Sequence, residues 1–341
     1  MKAAVIVADN VLEVLETPEP SISAYDALVD ILYGATCTGT DQSLIKGALP
    51  FRSPLPTILG HESVGRVLEV GPRVRYLRPG DLVTRVGAPP VGEYSVSWGG
   101  FAERGIAKDY RAMEEDGVST APWPDARRNR VLPAGADPAA ATMIITWRET
   151  LSYITRMGFA AGKSLLVIGS GGNGLAYINQ GANLGGARMA MIGAPGRETA
   201  ARRAGATDFF DYAAEELAEQ VNGAFPEGFD FVIDAVGKRG SAELGLTFLK
   251  KGGVLGIYGL TDFGQTTITP LRSKGTFTFY NGGYDEAETH EQVMALLADG
   301  KLDASIWLDL ERPYPLERIN EAFADLKARQ GVKALIKLGD A

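Results

Sequence analysis

The pattern of apolar and polar positions changes character near the middle of the chain. Through the first third, short β-type runs are broken by glycine and proline. "ALVDILYGA" (27–35), "SVGRVLEVG" (63–71) and "DLVTRVG" (81–87) read as strands, with turns at "VGPR" (70–73) and "RPGD" (78–81). From residue 146 the runs lengthen and alternate. "SLLVI" (164–168) is continuously apolar, as a strand is when both faces of its sheet are covered. It leads through glycines into a helical segment, "GLAYINQGANLG". The strand "RMAMI" (188–192) and the helix "RETAARRAGA" follow, then the strands "FDFVIDAVG" and "GGVLGIYGL". Strands and helices alternating at this spacing predict a doubly wound parallel sheet. Beyond residue 285, a helix in "ETHEQVMALLADG" and a last strand in "GVKALIKLG" are expected. The fold class is therefore α/β, a β-rich N-terminal domain joined to a Rossmann-type domain. The boundaries expected are 1–145 with 286–341, and 146–285.

Composition narrows the partners. A chain of 341 residues, 45% hydrophobic and 22% charged, is long enough for two domains with separate cores. A net charge of −8 disfavours nucleic acid and anionic membranes. No stretch approaches the roughly 20 apolar residues of a membrane-spanning helix. The start, "MKAAVIVADNVLEV", lacks the long apolar core of a secretory signal, so a cytoplasmic protein is expected. One cysteine excludes both an internal disulfide and a four-cysteine zinc knuckle.

Gly169, Gly171 and Gly174 form Gly-x-Gly-x-x-Gly directly after a buried strand and before a helix. That context suits a dinucleotide: a tight turn, a close approach to pyrophosphate, and close helix–strand packing. Gly172 and Asn173 belong to the same loop. The second strand ends at Gly193, where an NAD site usually has an acid for the ribose 2′-hydroxyl. Arg197 follows closely and suits a 2′-phosphate, which favours NADP over NAD. Arg202 and Arg203 read as ordinary solvated helix residues. "DAVG" (234–237), with Val236, and "YGL" (258–260), with Gly259 and Leu260, are strand ends at the carboxyl edge, where ligands bind in such sheets.

The only cysteine lies in "GATCTGTDQ" (34–42), and "GHES" begins nineteen residues after Asp41. Taken with "LGHESVGRVLEVG" (59–71), "PGDLV" (79–83), "GGFAE" (99–103), the glycine loop and "GKLDA" (300–304), this chain resembles the medium-chain dehydrogenase/reductase superfamily. Within it, the chain looks like the zinc-dependent alcohol, polyol and glucose dehydrogenases, and the likeness runs over nearly the whole length. The resemblance implies a GroES-like first domain and one catalytic zinc. Carried over, His61, Glu62 and the junction residue Glu149 match family ligands. Thr40 matches the hydroxyl that contacts the substrate oxygen. Asp41 is an orienting carboxylate, and Glu62 is one too where it does not bind metal. Asn281, in "NGG" (281–283), would border the nicotinamide.

Two departures stand out. The family pattern is Cys-Gly-Thr-Asp, but Thr38 precedes "GTD" here and Cys37 comes one step early. In an extended segment one step turns a side chain to the opposite face, unless a bulge or turn brings it round. Three arrangements stay open: Cys37 as a ligand through a reshaped loop, zinc held by His61, Glu62 and Glu149 alone, or a metal-free site. Secondly, residues 88–98 ("APPVGEYSVSW") contain no cysteine, so the family's structural-zinc lobe is absent.

The activity implied is hydride transfer between a secondary alcohol, a sugar or polyol, and NAD(P), in a cleft between domains. Trp98, Trp147 and Arg148 are candidate cleft residues. A homodimer or homotetramer is a family expectation. The competing readings are a zinc-free, NADPH-dependent quinone or enone reductase and a non-catalytic dinucleotide-binding protein.

Overall fold

In the computed structural model, which describes residues 1–121 and 126–339, the two hydrophobic patterns separate into two units. The first comprises residues 1–145 and 307–341, the second 146–306. The first is built on strands β1 (Lys2–Ala8), β2 (Asp26–Ala35), β3 (Glu62–Val70), β4 (Leu82–Thr84) and β5 (Arg104–Lys108), with a helix α1 (Thr38–Ile45) after β2. β2 is the hub. It pairs antiparallel with β3 from Ala27↔Val70 to Ala35↔Glu62, and with β5 from Asp26↔Lys108 to Asp30↔Arg104. Eight of the ten residues in "DALVDILYGA" are apolar or glycine, and seven are buried.

The second unit begins within helix α2 (Met143–Arg156) and winds around one parallel sheet. Its strands are β6 (Ser164–Ile168), β7 (Arg188–Gly193), β8 (Asp208–Asp211), β9 (Phe229–Asp234), β10 (Leu249–Ile257) and β11 (Thr278–Tyr280). Their spatial order is β8-β7-β6-β9-β10-β11. The chain runs outward from β6 to β8, then returns to the other side of β6 and runs outward again. The strand order thus reverses at β6, and the carboxyl end of β6 is the place where such sheets take a ligand. Helix α3 (Gly172–Asn183) follows the glycine loop and buries Leu175, Tyr177 and Ile178. The core is assembled from both halves of the sheet: Leu166 and Ile168 from β6, Ile192 from β7, Val232 from β9 and Leu255 from β10.

The last strand, β12 (Leu335–Lys337), returns to the first unit and pairs antiparallel with the end of β2, Leu335 opposite Ala35. Only three residues of "GVKALIKLG" are strand, because the chain turns at Gly331–Ala334 before it meets β2. No helix among the described residues is long and apolar enough to cross a membrane.

Candidate metal centre and dinucleotide loop

In the first unit, His61 is fixed by an interlock of two glycine-rich segments. Gly60 has φ +102°, and a β-carbon there would stand 2.6 Å from both the ring and the amide nitrogen of Phe101. Across this gap Gly100 N–H donates to Gly60 O (2.7 Å) and Phe101 N–H to Leu59 O (2.8 Å). "GHE" and "GGFAE" therefore form one structural unit that presents the buried His61 at the start of β3. Two further residues brace it, both in left-handed backbone, which is costly for anything but glycine. Arg85 (φ +61°) donates to the carbonyl of His61. Trp98 (φ +67°) lays its ring 5.0 Å from the imidazole. Both line a cavity of about 650 Å³ together with Leu44, Phe51, Lys108 and Asn129.

Cys37 does not lie in an extended segment. The chain leaves β2 at Ala35 and turns into α1 directly, with Cys37 at its N-cap and Asp41 N–H donating to Cys37 O (2.9 Å). On a helical turn, residues three and four apart share a face. Thr40 and Asp41 therefore fold back onto Cys37, its Sγ 3.4 Å from Thr40 Oγ1 and its N–H 2.9 Å from Asp41 Oδ2. The side-chain period at Cys37 is that of a helix and not of a strand. Cys37, His61 and Glu62 each offer an atom to one buried group whose members lie within 4.8 Å of one another.

The group sets two carboxylates, Asp41 and Glu62, beside Cys37 and His61. The other oxygen of Asp41, Oδ1, lies 3.4 Å from His61 Nδ1, and neither atom has another hydrogen-bond partner among the described residues. Burial alone would push the His61 pKa down, but Asp41 and Cys37 outweigh it and raise it from 6.5 to about 10. The polypeptide by itself thus keeps a proton on His61 where a cation would otherwise sit. Thiolate, imidazole and carboxylate are the donors that suit zinc, so these residues fit the ion. Asp41 fits the part of an outer carboxylate that fixes the ring and leaves its far nitrogen to the metal.

One member of the group was not foreseen. Lys333, side chain 1% exposed, donates to both oxygens of Glu62 at 2.6 and 2.5 Å and to Thr36 O at 3.1 Å. Burial lowers its pKa, but Glu62, Cys37 and Asp41 raise it further, so the ammonium stays charged. The available signal was a lysine inside the apolar run "VKALI".

In the second unit, Glu149 lies on α2. Its carboxylate accepts hydrogen bonds from Tyr258 (2.9 Å) and Tyr284 (3.3 Å). Trp147 and Arg148, expected as cleft residues, are fully buried in that unit. Arg148 is ion-paired with the equally buried Glu286 and lies 3.5 Å from His290 Nδ1, so its charge serves packing rather than a substrate. A buried arginine needs such a partner, and sequence alone did not show that one was present.

The residues expected to meet a dinucleotide lie at the carboxyl edge of the parallel sheet. Gly169 closes β6 with φ +110°, and Gly171 caps α3. Gly172, Asn173 and Gly174 form the first turn of α3, Gly193 ends β7, and Arg197 sits in the short turn before the helix Glu198–Arg203. Val236 follows β9, where Asp234 holds the loop by accepting from the N–H groups of Val236 and Gly237 (2.9 Å each). Gly259, Leu260 and Asn281 follow β10 and β11 and line a cavity of about 540 Å³ with Tyr258, Phe263 and Phe279. Arg202 and Arg203 are occupied by Glu198 and Asp303.

Comparison with known proteins agrees with this architecture. The alcohol dehydrogenase GroES-like domain family matches residues 23–124, and the zinc-binding dehydrogenase family matches residues 204–332. The chain is 31% identical over 283 residues to the NADP-dependent isopropanol dehydrogenase of Clostridium beijerinckii, covering 79% of each. It is 26% identical over 298 residues to the sorbitol dehydrogenase of sheep (Ovis aries), covering 83% of this chain and 80% of that one. The alcohol dehydrogenase TADH from Thermus sp. ATN1 shares its fold, with a TM-score of 0.78 at 24% identity over 99% of this chain and 100% of the other.

Proposed function

The chain belongs to the medium-chain dehydrogenase/reductase superfamily, and from that premise we propose that it is a zinc-dependent dehydrogenase. In this reading it moves a hydride reversibly between a secondary alcohol, of the sugar or polyol class, and NADP. The observation that carries the reading is the buried convergence of Cys37, His61 and Glu62 within 4.8 Å. Cys37 and His61 would hold the ion directly. Bound there, zinc supplies Lewis-acid polarisation of the substrate oxygen.

The remaining steps belong to the chain's own residues. Thr40, partly exposed and 3.4 Å from Cys37 Sγ, takes the hydroxyl proton of the alcohol and passes it outward. Asp41 holds both the Cys37 amide and the His61 ring, so the two donors keep one geometry through the cycle. Arg85 and Ser97, which line the cavity beside Trp98, supply polar partners for a substrate with several hydroxyls; Lys108 and Asn129 in its wall are held by Asp26 and by the backbone. In the second unit, the glycine loop and the N-terminus of α3 take the pyrophosphate. A β-carbon at residue 193 would stand 2.5 Å from Ser170 Cβ, which leaves no room for the acid of an NAD site. With Arg197 four residues on, this supports NADP.

One observation favours the zinc-free reductase instead: Glu62 already has a cation, Lys333, on both oxygens. Elemental analysis of purified protein separates the two. The zinc reading expects about one ion per chain, as in a catalytic site of this type, lost in Cys37→Ser and in His61→Ala. It also expects NADP-linked oxidation of secondary alcohols. Absence of zinc from every sample after supplementation overturns it in favour of reduction of an activated double bond.

A further inference from the structure

The Cys37–His61–Glu62 group contains a contest over one carboxylate. Both oxygens of Glu62 accept from Lys333 Nζ, at 2.6 and 2.5 Å. Lys333 is equally constrained. Its ammonium also donates to Thr36 O (3.1 Å), and the neighbouring backbone is tied twice to Thr36: Ala334 N–H to Thr36 Oγ1 (2.9 Å) and Thr36 N–H to Ala334 O (3.0 Å). The sheet register explains the meeting. Ala35 has Glu62 opposite it on one side and Leu335 on the other, so the chain entering β12 and the chain starting β3 flank the segment that carries Cys37. Lys333 and Glu62 are each 1% exposed, and neither can swing to water without dismantling the end of the sheet.

We propose that Lys333 is a positioning residue that keeps Glu62 off the resident ion. The ion is then left to Cys37 and His61 within this group, while Glu62 acts at one remove. The inference rests on the zinc reading above. Its physical basis is the cost of separating a buried pair: stripping Glu62 from Lys333 to ligate a metal would leave an ammonium buried with only a carbonyl to hold it. Lys333 also removes one of the three negative charges that Cys37, Asp41 and Glu62 would otherwise bring together, so the group is balanced for a divalent ion.

Cobalt(II) tests this on the full chain after metal removal. Its ligand-field bands and its thiolate charge-transfer band read the ligand set independently of turnover, and competition with a chelator reads affinity. In Glu62→Gln the ligand-field bands are expected to stay as in wild type, while affinity falls because the buried Lys333 has lost its counter-charge beside the ion. In Lys333→Met the freed Glu62 should join the ion, shifting the ligand-field bands and tightening binding roughly tenfold or more. The double variant Lys333→Met/Glu62→Gln should return to the wild-type bands, and Lys333→Arg should keep them. Near-UV circular dichroism checks that each variant is folded; should Lys333→Met fail to fold, Glu62→Gln and the double variant still decide. A band shift in Glu62→Gln, or loss of cobalt from the double variant as complete as from His61→Ala, makes Glu62 a ligand and overturns the proposal while the zinc reading stands. Cobalt bound by Lys333→Met but not by wild type means that Lys333 occupies the cation's place, and both readings fall. Both fall also if no sample binds cobalt.

Discussion

Two glycines three residues apart in the dinucleotide loop should respond to alanine in opposite ways. At Gly171, φ is −81° and ψ −174°, open to any residue, and no atom lies within 4 Å of where a β-carbon would stand. Alanine there meets nothing in the protein and removes freedom from the unfolded chain, which stabilises by roughly 0.4–1 kcal/mol. On the proposed function, the same β-carbon would occupy the space through which the backbone approaches the pyrophosphate. Affinity for NADPH should therefore fall tenfold or more, a loss of at least about 1.4 kcal/mol. At Gly174 the reverse holds. A β-carbon would lie 1.9 Å from Gly169 O and 2.9 Å from its carbonyl carbon, both backbone atoms that no rotamer change can move. An alanine in a helix returns up to about 1 kcal/mol, but relieving that overlap must shift β6 against α3, a net cost of about 1–3 kcal/mol. Urea denaturation midpoints report stability and NADPH fluorescence titration reports affinity. Wild-type cofactor affinity in Gly171→Ala would show that the loop does not take the pyrophosphate. Wild-type stability in Gly174→Ala would refute the packing argument.

Three further outcomes are expected. In zinc-free protein, His61 has a folded pKa of about 10 against an ordinary 6.5, so its contribution to stability is complete below about 6.5 and disappears as pH rises through 10. The melting temperature of the zinc-free form should fall over that window, and zinc loading, which replaces the proton, should flatten the slope; a flat profile without metal refutes the charge assignment. Arg197→Gln should reduce the ratio of kcat/KM for NADPH over NADH by roughly tenfold or more, since a charge-assisted contact to the 2′-phosphate is lost; an unchanged ratio would assign the arginine to the helix surface. Glu286→Gln should destabilise the second unit by about 3–5 kcal/mol by neutralising a carboxylate paired with the buried Arg148, whereas Arg148→Met/Glu286→Met should recover most of that loss; denaturation midpoints of the two variants settle it.

Much of this was legible because certain residues carry their structural context with them. An apolar run such as "SLLVI" can be satisfied only between two covering layers, and a glycine loop between such a strand and a helix has one common use. Gly193 and Arg197 rest on the same kind of local ground, and the phosphate end of the cofactor remains a proposal for them. The turn that brings Cys37 round was less legible. Strand parity was applied to a segment that is the first turn of a helix, and neither "ATCTG" nor its composition announces that turn, since Gly39 and two threonines are poor helix formers. Arg148 was misjudged for the opposite reason. A charged residue beside a tryptophan suggests a binding cleft until its partner, 138 positions away, is found buried against it.

The sequence by itself determined the two-part α/β architecture, the glycine turn between a buried strand and a helix, and the types of atom available to a metal, because periodicity, glycine spacing and side-chain chemistry are local properties. Only the tertiary structure decided how those atoms are shared. Whether Glu62 is open to an ion depends on Lys333, 271 residues later, and the two meet because β3 and β12 flank the same end of β2. Pairings of that kind are set by sheet register and burial. In a dry interior a charge is held by whichever opposite charge the fold brings within reach, and no local pattern records which one that is.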